Sequence, residues 1–454
     1  MKERNELERL RYIVAPGFID LHAHLREPGF EESETITTGS RAALRGGFTT
    51  ICAMPNTEPA IDSPGLVAEL IARAKAAGGA RVLPIATITR GRAGRELADL
   101  MELSAAGAVA FSDDGSPVDD ARLFRHALEY ARAKDLLVIE HAQDRTLTGA
   151  GVMHEGVVSA RLGLPGMATA AEEVAVARGI SLVEMTGARL HLTHISTRGA
   201  IASIRAAKAR GLRITCDVTP HHLAMTDDWV GGLRQFAWEH DVRNREREGS
   251  RARVETGLAR EAPLARNGPA PSVDADHASL PQARLSLEKP PGLATPYDSA
   301  TKVNPPLRAW SDVRALWEGL VDGTVDAIAT DHAPHASVRK DVEFDQAAFG
   351  ISGLETALSL ALGGVNAGWC DRDTVIRALT EGPARVLGLP VRDDDWIAID
   401  PEAEWTVSPE ALVSLGKNTP LLGRVLPGRV VYAVVGGEVR YEGGLRDATP
   451  SGTR

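Results

Sequence analysis

The stretch FIDLHAHLREPG, Phe18–Gly29, is the most specific string in the chain. A β-type apolar run leads there into two histidines, His22 and His24, separated by one residue. Residues i and i+2 of a strand share a face, so both imidazoles can point into the same space. Neutral imidazole binds Zn²⁺ and similar ions well, but a histidine pair alone is a weak signal. Its meaning depends on the segments that follow.

Seven further β-type runs follow this one, and Ala/Leu/Arg-rich helical stretches separate them. The eight runs are Phe18–Arg26, Phe48–Pro55, Arg81–Thr89, Ala108–Gly115, Leu136–Ala142, Arg189–Ser196, Arg213–Pro220 and Val325–Pro334. Such alternation indicates βα units and a parallel sheet. Eight strands match one closed (β/α)8 TIM barrel of the α/β class. A doubly wound open sheet is the alternative, but no Gly-rich turn follows the first strand.

A parallel barrel brings the C-terminal ends of its strands to one mouth, where its chemistry occurs. His141 ends strand five, His194 ends strand six and Asp331 ends strand eight. With His22 and His24 these residues predict a centre for divalent ions. Strand four ends in FSDDG, residues 111–115, and one of its two aspartates can bridge two ions through its two oxygens. The two aspartates point opposite ways on a strand, and the residues alone do not choose between them.

Three histidines near these strand ends are expected to be other than ligands. His191 lies an odd number of residues before His194, so it should face away from the barrel, as a barrel–helix packing or surface residue. His221 and His222 follow strand seven, where a structural or supporting role is favoured over ligation. Asp20 shares a face with His22 and either orients that histidine or is simply buried and hydrogen-bonded.

The predicted centre has the parts of a hydrolase. A bound metal ion lowers the pKa of water towards neutrality, and Asp331, next to metal and water, can take a proton as that water attacks. Arg26 can grip a carboxylate with two parallel hydrogen bonds, and Asn56 and His335 lie in neighbouring loops. Together these groups predict hydrolysis of a small acidic amide or cyclic imide.

Composition sets limits on other functions. The 454 residues carry 51 basic and 61 acidic side chains, a net charge of −10. That charge argues against general binding to nucleic acid or anionic membranes. Three widely spaced cysteines, Cys52, Cys216 and Cys370, are no disulfide framework, and no signal peptide or membrane-spanning run is expected. We therefore expect a cytoplasmic protein.

Two regions depart from a regular barrel. Residues 229–299 form a long Arg/Glu/Pro-rich stretch between strands seven and eight, expected to be disordered, either as a mobile lid or, as we favour, an insertion unrelated to function. The segment from about residue 396 to 441 shows short strands with Gly and Pro turns, which indicates a small β-domain. The expected division is an N-terminal segment, 1–14, a barrel, 15–390, a small β-sandwich domain, 391–445, and a tail, 446–454.

Eight strings together resemble bacterial class I dihydroorotase, of the amidohydrolase superfamily. They are PGFIDLHAHLREPG, AMPNTEPAIDSP, AFSDDG, HLTHIST, DVTPHHL, KVNPPLR, ATDHAPH and FGISGLETAL. The resemblance runs from about residue 15 to 226, resumes near 302 and continues more weakly to about 441. It implies a zinc-dependent enzyme that interconverts N-carbamoyl-L-aspartate and L-dihydroorotate in pyrimidine (UMP) biosynthesis. The implied fold is a (β/α)8 barrel with a small β-sandwich made from both chain ends.

The resemblance also assigns roles to residues, with one or two zinc ions per chain. His22, His24 and Asp331 would hold one zinc, and Asp114 would bridge to a second held by His141 and His194. Asp331 would also be the catalytic proton shuttle. The substrate would be bound by His24, Arg26, Asn56, Asn304, His335 and, through backbone groups, Phe349 and Gly350.

Departures from the family pattern leave alternatives open. The N-terminal half of the sandwich is expected to be missing, because residues 1–12, MKERNELERLRY, do not resemble it. Hydantoinases and allantoinases are the nearest rivals, but they use a carboxylated lysine from strand four, and AVAFSDDG has none. A non-catalytic partner of aspartate transcarbamoylase is a third reading, which the full ligand set disfavours. A second copy of the chain and aspartate transcarbamoylase are the expected partners besides the substrate.

Overall fold

The computed structural model describes residues 2–240 and 294–444, and fourteen strands lie within them. They are β1 Ile13–Pro16, β2 Phe18–Ala23, β3 Phe48–Ala53, β4 Arg81–Ala86, β5 Ala110–Phe111, β6 Leu137–His141, β7 Met153–His154, β8 Gly166–Met167, β9 Arg189–Thr193, β10 Ile214–Val218, β11 Ala327–Ile328, β12 Trp396–Thr406, β13 Val425–Val435 and β14 Glu438–Glu442. Eight of these fall inside the eight runs expected from the sequence.

Those eight strands form one parallel sheet, in the order β2-β3-β4-β5-β6-β9-β10-β11. The first and last strands meet where Ala23 pairs in parallel with His332. The amide of His24 also donates to the carbonyl of His332 at 2.8 Å. The sheet therefore curves into a barrel, and the predicted α/β barrel is confirmed.

Most of the helices cover the outside of the barrel. Their bounds are Lys2–Arg9, Ile36–Gly46, Pro64–Ala77, Leu100–Ala106, Ala121–Arg132, Arg145–Thr148, Val157–Leu162, Ala170–Thr186, Arg198–Ala209, Pro220–Ala224, Trp310–Asp322, Ser337–Lys340, Ala357–Asn366, Arg372–Leu379 and Glu381–Leu387. Capping residues set the bounds of many of them. Asp120 begins the helix Ala121–Arg132, because its side chain accepts hydrogen bonds from the amides of Arg122 and Leu123. Gly47, at φ 91°, ends the helix Ile36–Gly46. None of the helices in this part of the chain has the length and apolar content needed to cross a bilayer.

Two apolar layers hold the barrel rigid. The outer layer joins strand residues such as Leu190 and Leu192 to helix residues such as Val176. Inside the barrel, Leu21, Ile139 and Ala327 pack against residues of the helix Glu381–Leu387, which closes the end away from the histidines. The polar mouth thus stands on a packed apolar floor, and floor packing of this kind keeps strand ends fixed.

The small domain is a single antiparallel sheet of four strands, in the order β1-β12-β13-β14. Its first strand comes from the N-terminal segment, because Ile13–Pro16 pairs with Trp396–Ile399. Leu7, from the helix Lys2–Arg9, packs with Trp396 and Tyr432. The N-terminal residues therefore belong to this domain, and the expected boundary at residue 14 cuts through a strand. Among the described residues the domain has one sheet, where a two-layered sandwich was expected.

Both ends of the long polar stretch are packed. Trp229 is fully buried, its indole N–H donates to the carbonyl of Gln235 at 2.6 Å, and it contacts Phe236. At the other end, Asp298 forms an ion pair with Arg234. Residues 229–240 and 294–299, which were expected to be disordered, therefore have defined packing through apolar and charged contacts. Residues 241–293 and the tail from 445 lie outside the described residues.

Candidate metal centre

Six predicted ligands converge at the mouth of the barrel. On one side, Nε2 of His22 and Nε2 of His24 lie 3.2 Å apart. They lie 3.4 Å and 3.1 Å from Oδ1 of Asp331, and 3.5 Å and 3.6 Å from Oδ2 of Asp114. All four side chains are buried. Residues more than 300 positions apart therefore share one polar cluster.

The second oxygen of Asp114 faces a second pair of histidines. Its Oδ1 atom lies 3.4 Å from Nδ1 of His141 and 3.5 Å from Nε2 of His194. Asp114 is thus common to both groups, with one oxygen directed to each. The sequence left Asp113 and Asp114 open; the structure places Asp114 here, whereas Asp113 accepts hydrogen bonds from the amides of Ile88 and Thr89.

These donors fit divalent ions. Imidazole and carboxylate ligands lie at about 2.0–2.2 Å from zinc, and at tetrahedral angles two such ligands are about 3.3 Å apart. The observed separations of 3.1–3.6 Å bracket that value. Oδ1 of Asp114 is also buried without a hydrogen-bond donor among the described residues. A buried carboxylate oxygen facing two imidazole nitrogens is the arrangement expected where a cation supplies the missing contact.

The charges in the cluster respond to one another. Burial lowers the pKa of His22, but the carboxylates of Asp114 and Asp331 outweigh burial and raise that pKa to about 9. Burial raises the pKa of Asp331, whereas the charge of His22 and the hydrogen bond from His24 bring it below its usual range. The same balance holds Asp114 ionised. The carboxylates are therefore charged at neutral pH, as metal ligation requires.

Three residues of the mouth adopt left-handed backbone conformations: Arg26 at φ 60°, His194 at φ 43° and Asp331 at φ 46°. Residues other than glycine rarely occupy this region, and those that do are concentrated at functional sites. His194 comes directly after β9, whereas Arg26 and Asp331 each lie three residues beyond the ends of β2 and β11. Strand alternation therefore stops applying at these positions.

The prediction for His191 was wrong for this reason. Leu190 and Leu192 belong to the helix-facing layer, so His191 and Thr193 point into the barrel. His191 is fully buried, and its Nε2 atom lies 2.7 Å from Oδ2 of Asp217 on β10. His194 lies beyond the end of β9 in its left-handed conformation, so it too can turn inwards.

Two residues predicted to support the site, His222 and Asp20, have hydrogen-bond partners of their own. His222 contacts Oγ1 of Thr219 at 2.7 Å and the carbonyl of Pro305 at 3.0 Å, beside Asn304. Asp20 accepts hydrogen bonds from the backbone amides of His22 and Thr330, so it supports the backbone of His22 and leaves its ring to another partner.

Side chains that the sequence analysis missed contact the outer nitrogens of the histidines. Nδ1 of His22 lies 2.9 Å from Oγ1 of Thr193, and Nε2 of His141 lies 3.1 Å from Oε1 of Gln143. Asn56, predicted to bind substrate, has its Oδ1 atom 2.8 Å from Nδ1 of His24. Such partners fix which ring nitrogen faces the metal. Gln143 is two residues past a strand-end histidine, a spacing that could have marked it.

The remaining predicted residues line one cavity of about 230 Å³ at the mouth, together with His24, Asp114, His141, His194 and Asp331. They are Arg26, Asn56, Asn304, His335, Phe349 and Gly350. Nε of Arg26 donates to the carbonyl of Pro334 at 3.1 Å, which leaves guanidinium N–H groups for a ligand. The amide of Asn304 exchanges two hydrogen bonds of 3.1 Å with Gln143.

In the FGISG turn, the backbone groups of Phe349 and Gly350 that were predicted to bind substrate form hydrogen bonds within the protein. The carbonyl of Phe349 lies 2.8 Å from Nε2 of His335, and the amide of Gly350 donates to the carbonyl of Lys302 at 2.9 Å. Gly350 has φ 140°, and a Cβ atom there would lie 2.6 Å from Cβ of Ala333. This turn shapes the wall of the cavity, and its substrate contacts stay a prediction.

Known proteins similar to this chain agree with the geometry. A family model described as "Dihydro-orotase-like" matches residues 11–200. The chain is 48% identical to the dihydroorotase of Anaeromyxobacter sp. (strain K), over 96% of this chain and 87% of that protein. It is 44% identical to the dihydroorotase of Pelotomaculum thermopropionicum, over 94% and 86% of the two chains.

Among solved structures, the fold is similar to the L-hydantoinase of Arthrobacter aurescens. The TM-score is 0.71 at 21% identity, over 96% of this chain and 86% of that one. That likeness concerns the fold, whereas the identity to the two dihydroorotases extends over nearly the whole chain. On that identity, and with its ligand set assembled at the mouth of a parallel barrel, the chain belongs to the dihydroorotase family of cyclic amide hydrolases.

Proposed function

We propose that this protein is a zinc-dependent dihydroorotase, which reversibly hydrolyses L-dihydroorotate to N-carbamoyl-L-aspartate in pyrimidine biosynthesis. The observation that carries the proposal is the position of Asp114, with one carboxylate oxygen facing His22 and His24 and the other facing His141 and His194. The identity to curated dihydroorotases supports the choice of substrate.

The residues present would hold one or two zinc ions. His22, His24 and Asp331 would contact the first, His141 and His194 the second, and Asp114 both. When bound, such ions acidify water and polarise a carbonyl group.

In this proposal Asp331 moves the proton. Its Oδ1 atom faces His22 and His24, and the residue also lines the cavity. A carboxylate whose pKa lies below its usual range stays ionised at neutral pH, so it can accept the proton of attacking water and pass it to the departing amide nitrogen. The left-handed backbone of Asp331 keeps this carboxylate directed into the mouth.

Arg26 gives the cavity its preference for an acidic substrate. Its guanidinium group lies at the cavity wall beside His335, with Nη2 of Arg26 3.3 Å from Nε2 of the imidazole. Dihydroorotate and carbamoyl-aspartate both carry a carboxylate that a guanidinium group can bind through two hydrogen bonds. A hydantoin ring without an acidic substituent lacks this partner, and strand four has no lysine to serve as the bridge that we expect in hydantoinases.

The proposal is tested with purified protein, by elemental analysis and by assay with dihydroorotate, carbamoyl-aspartate, hydantoin and allantoin. We expect zinc to co-purify at up to two equivalents, and dihydroorotate and carbamoyl-aspartate alone to react. Turnover of hydantoin without turnover of dihydroorotate would overturn the assignment. Bound aspartate transcarbamoylase without any turnover would instead favour the non-catalytic reading.

The proposed setting is the cytoplasm, with a second copy of the chain or aspartate transcarbamoylase as partner. All three cysteines are free in the structure, which is usual in a reducing compartment. Light scattering on the purified protein, alone and with aspartate transcarbamoylase, tests both partners.

A further inference from the structure

A buried chain of hydrogen bonds leads from the metal centre to Asp217. Oγ1 of Thr193 lies 2.9 Å from Nδ1 of His22, and it lies 3.1 Å from Oδ2 and 3.3 Å from Oδ1 of Asp217. Thr193 is 1% exposed and Asp217 is fully buried. Neither residue lines the cavity, so neither is placed to touch the substrate.

The direction of the protons in this chain follows from the chemistry of its groups. An ionised carboxylate only accepts hydrogen bonds, so the hydroxyl of Thr193 must donate its proton to Asp217. The oxygen of Thr193 is then left to accept, and Nδ1 of His22 must be the protonated nitrogen. In the neutral imidazole, that arrangement leaves the lone pair on Nε2, on the side of Asp114 and Asp331, where a metal ion needs it.

The carboxylate of Asp217 also contacts His194, a predicted ligand of the second metal ion. Oδ1 of Asp217 accepts the backbone amide of His194 at 2.6 Å. His194 is the residue whose left-handed conformation turns its imidazole towards Asp114. Since an unsupported non-glycine residue avoids this conformation, the hydrogen bond that the His194 amide donates to Asp217 stabilises the orientation of the His194 ring.

His191 completes the environment of Asp217. Its Nε2 atom lies 2.7 Å from Oδ2, and its Nδ1 atom lies 2.8 Å from Oγ1 of Thr215. Asp217 therefore has three partners from β9 and its C-terminal end, and two of them lead to predicted metal ligands. The carboxylate is satisfied on all sides, as a buried charge must be.

We propose that Asp217 is a positioning residue shared by both metal ions, orienting His22 through the hydroxyl of Thr193 and His194 through its backbone amide. The inference rests on the proposed function, because it assumes that these histidines bind metal. On this proposal, the carboxylate of Asp217 sets the orientation of His22 in one half of the centre and of His194 in the other.

The test compares four variants of the full chain loaded with Co²⁺, whose visible absorption reports each bound ion as a chelator is added. Thr193→Val removes the hydroxyl and keeps the shape, whereas Thr193→Ser keeps the hydroxyl. Thr215→Val is the matched control, because it removes a hydroxyl of the same network that reaches no predicted ligand. Asp217→Asn weakens both branches.

We expect Thr193→Val to release one of the two ions at roughly 10- to 100-fold lower chelator concentration, the range typical of lost partners of metal-bound histidines. The second ion should be released as in the unsubstituted protein. Thr193→Ser and Thr215→Val should keep both ions, and Asp217→Asn should loosen both.

The outcomes separate the two proposals. Suppose that the unsubstituted chain binds two ions and that Thr193→Val releases each ion at the same chelator concentration as the unsubstituted chain. The inference is then wrong and the proposed function stands. If the unsubstituted chain binds neither Co²⁺ nor Zn²⁺, the proposed function fails and the inference with it. If Asp217→Asn does not fold, Thr193→Val still decides the branch that leads from Asp217 to His22.

Discussion

Binding of the first metal ion should expel a proton from His22. In the metal-free protein, burial lowers the pKa of His22, but Asp114 and Asp331 raise it to about 9. The imidazole is therefore protonated at pH 7, and Nε2 must lose that proton before it can bind a metal. Apparent metal affinity should then rise about tenfold per pH unit from pH 7 to pH 9 and level off above it. Over this interval the gain is about 100-fold, or about 3 kcal/mol.

The stability of the metal-free protein should change in the opposite sense. The pKa of His22 is about 9 in the folded chain and near its ordinary value, 6.5, when unfolded. Its protonation therefore stabilises the metal-free fold fully below pH 6.5, and that contribution of about 3 kcal/mol is lost as pH rises through 9.

The assay is isothermal titration calorimetry of the metal-free protein in two buffers of different ionisation enthalpy, at pH 7.5 and at pH 9.5. The difference between buffers counts the protons released, and we expect about one more at pH 7.5 than at pH 9.5. His24 should add no such step, because burial lowers its pKa. Equal proton release at the two pH values, with an affinity that does not change between them, would refute the reasoning.

Three substitutions test other parts of the structure. Asp331→Asn should lower kcat by about 10²–10⁴-fold, the usual range for losing a general base, while the unfolding midpoint stays near that of the unsubstituted chain; retained kcat would contradict its proton-transfer role. Arg26→Met should raise KM for dihydroorotate by roughly 10- to 150-fold, because a hydrogen bond to a charged group contributes about 1.5–3 kcal/mol; an unchanged KM would exclude the proposed carboxylate contact. Trp229→Ala should reduce the free energy of unfolding by about 3–5 kcal/mol in denaturant titrations, because the indole is fully buried; a loss below about 1 kcal/mol would mean that this end of the insert is not packed.

The strands and most of the candidate ligands could be located from the sequence because their signals are local. Each barrel strand is a short apolar run, and His141 or Asp331 simply follows such a run at its C-terminal end. Parallel βα topology then places these ends at one mouth whatever their separation along the chain. The same reasoning could not choose between Asp113 and Asp114, because both follow the same run.

The two errors have different physical causes. Strand alternation predicts side-chain direction only while the strand continues, and it fails where His194 takes φ 43°. His191 was misplaced on that account. The small domain was misjudged because pairing of Ile13–Pro16 with β12 joins residues nearly 400 positions apart, and no local pattern reports such pairing.

The sequence by itself determined the barrel, its polar mouth and the set of imidazoles and carboxylates that can meet there, because these depend on periodicity and on residue type. Only the tertiary structure decided which oxygen of Asp114 faces which histidine pair, that Thr193 and Gln143 contact ring nitrogens of His22 and His141, and that Asp217 contacts Thr193. Hydrogen bonds have a reach of about 3 Å and a narrow angular range. Whether two side chains meet within those limits depends on how distant segments of the chain pack, and the order of residues alone does not show that packing.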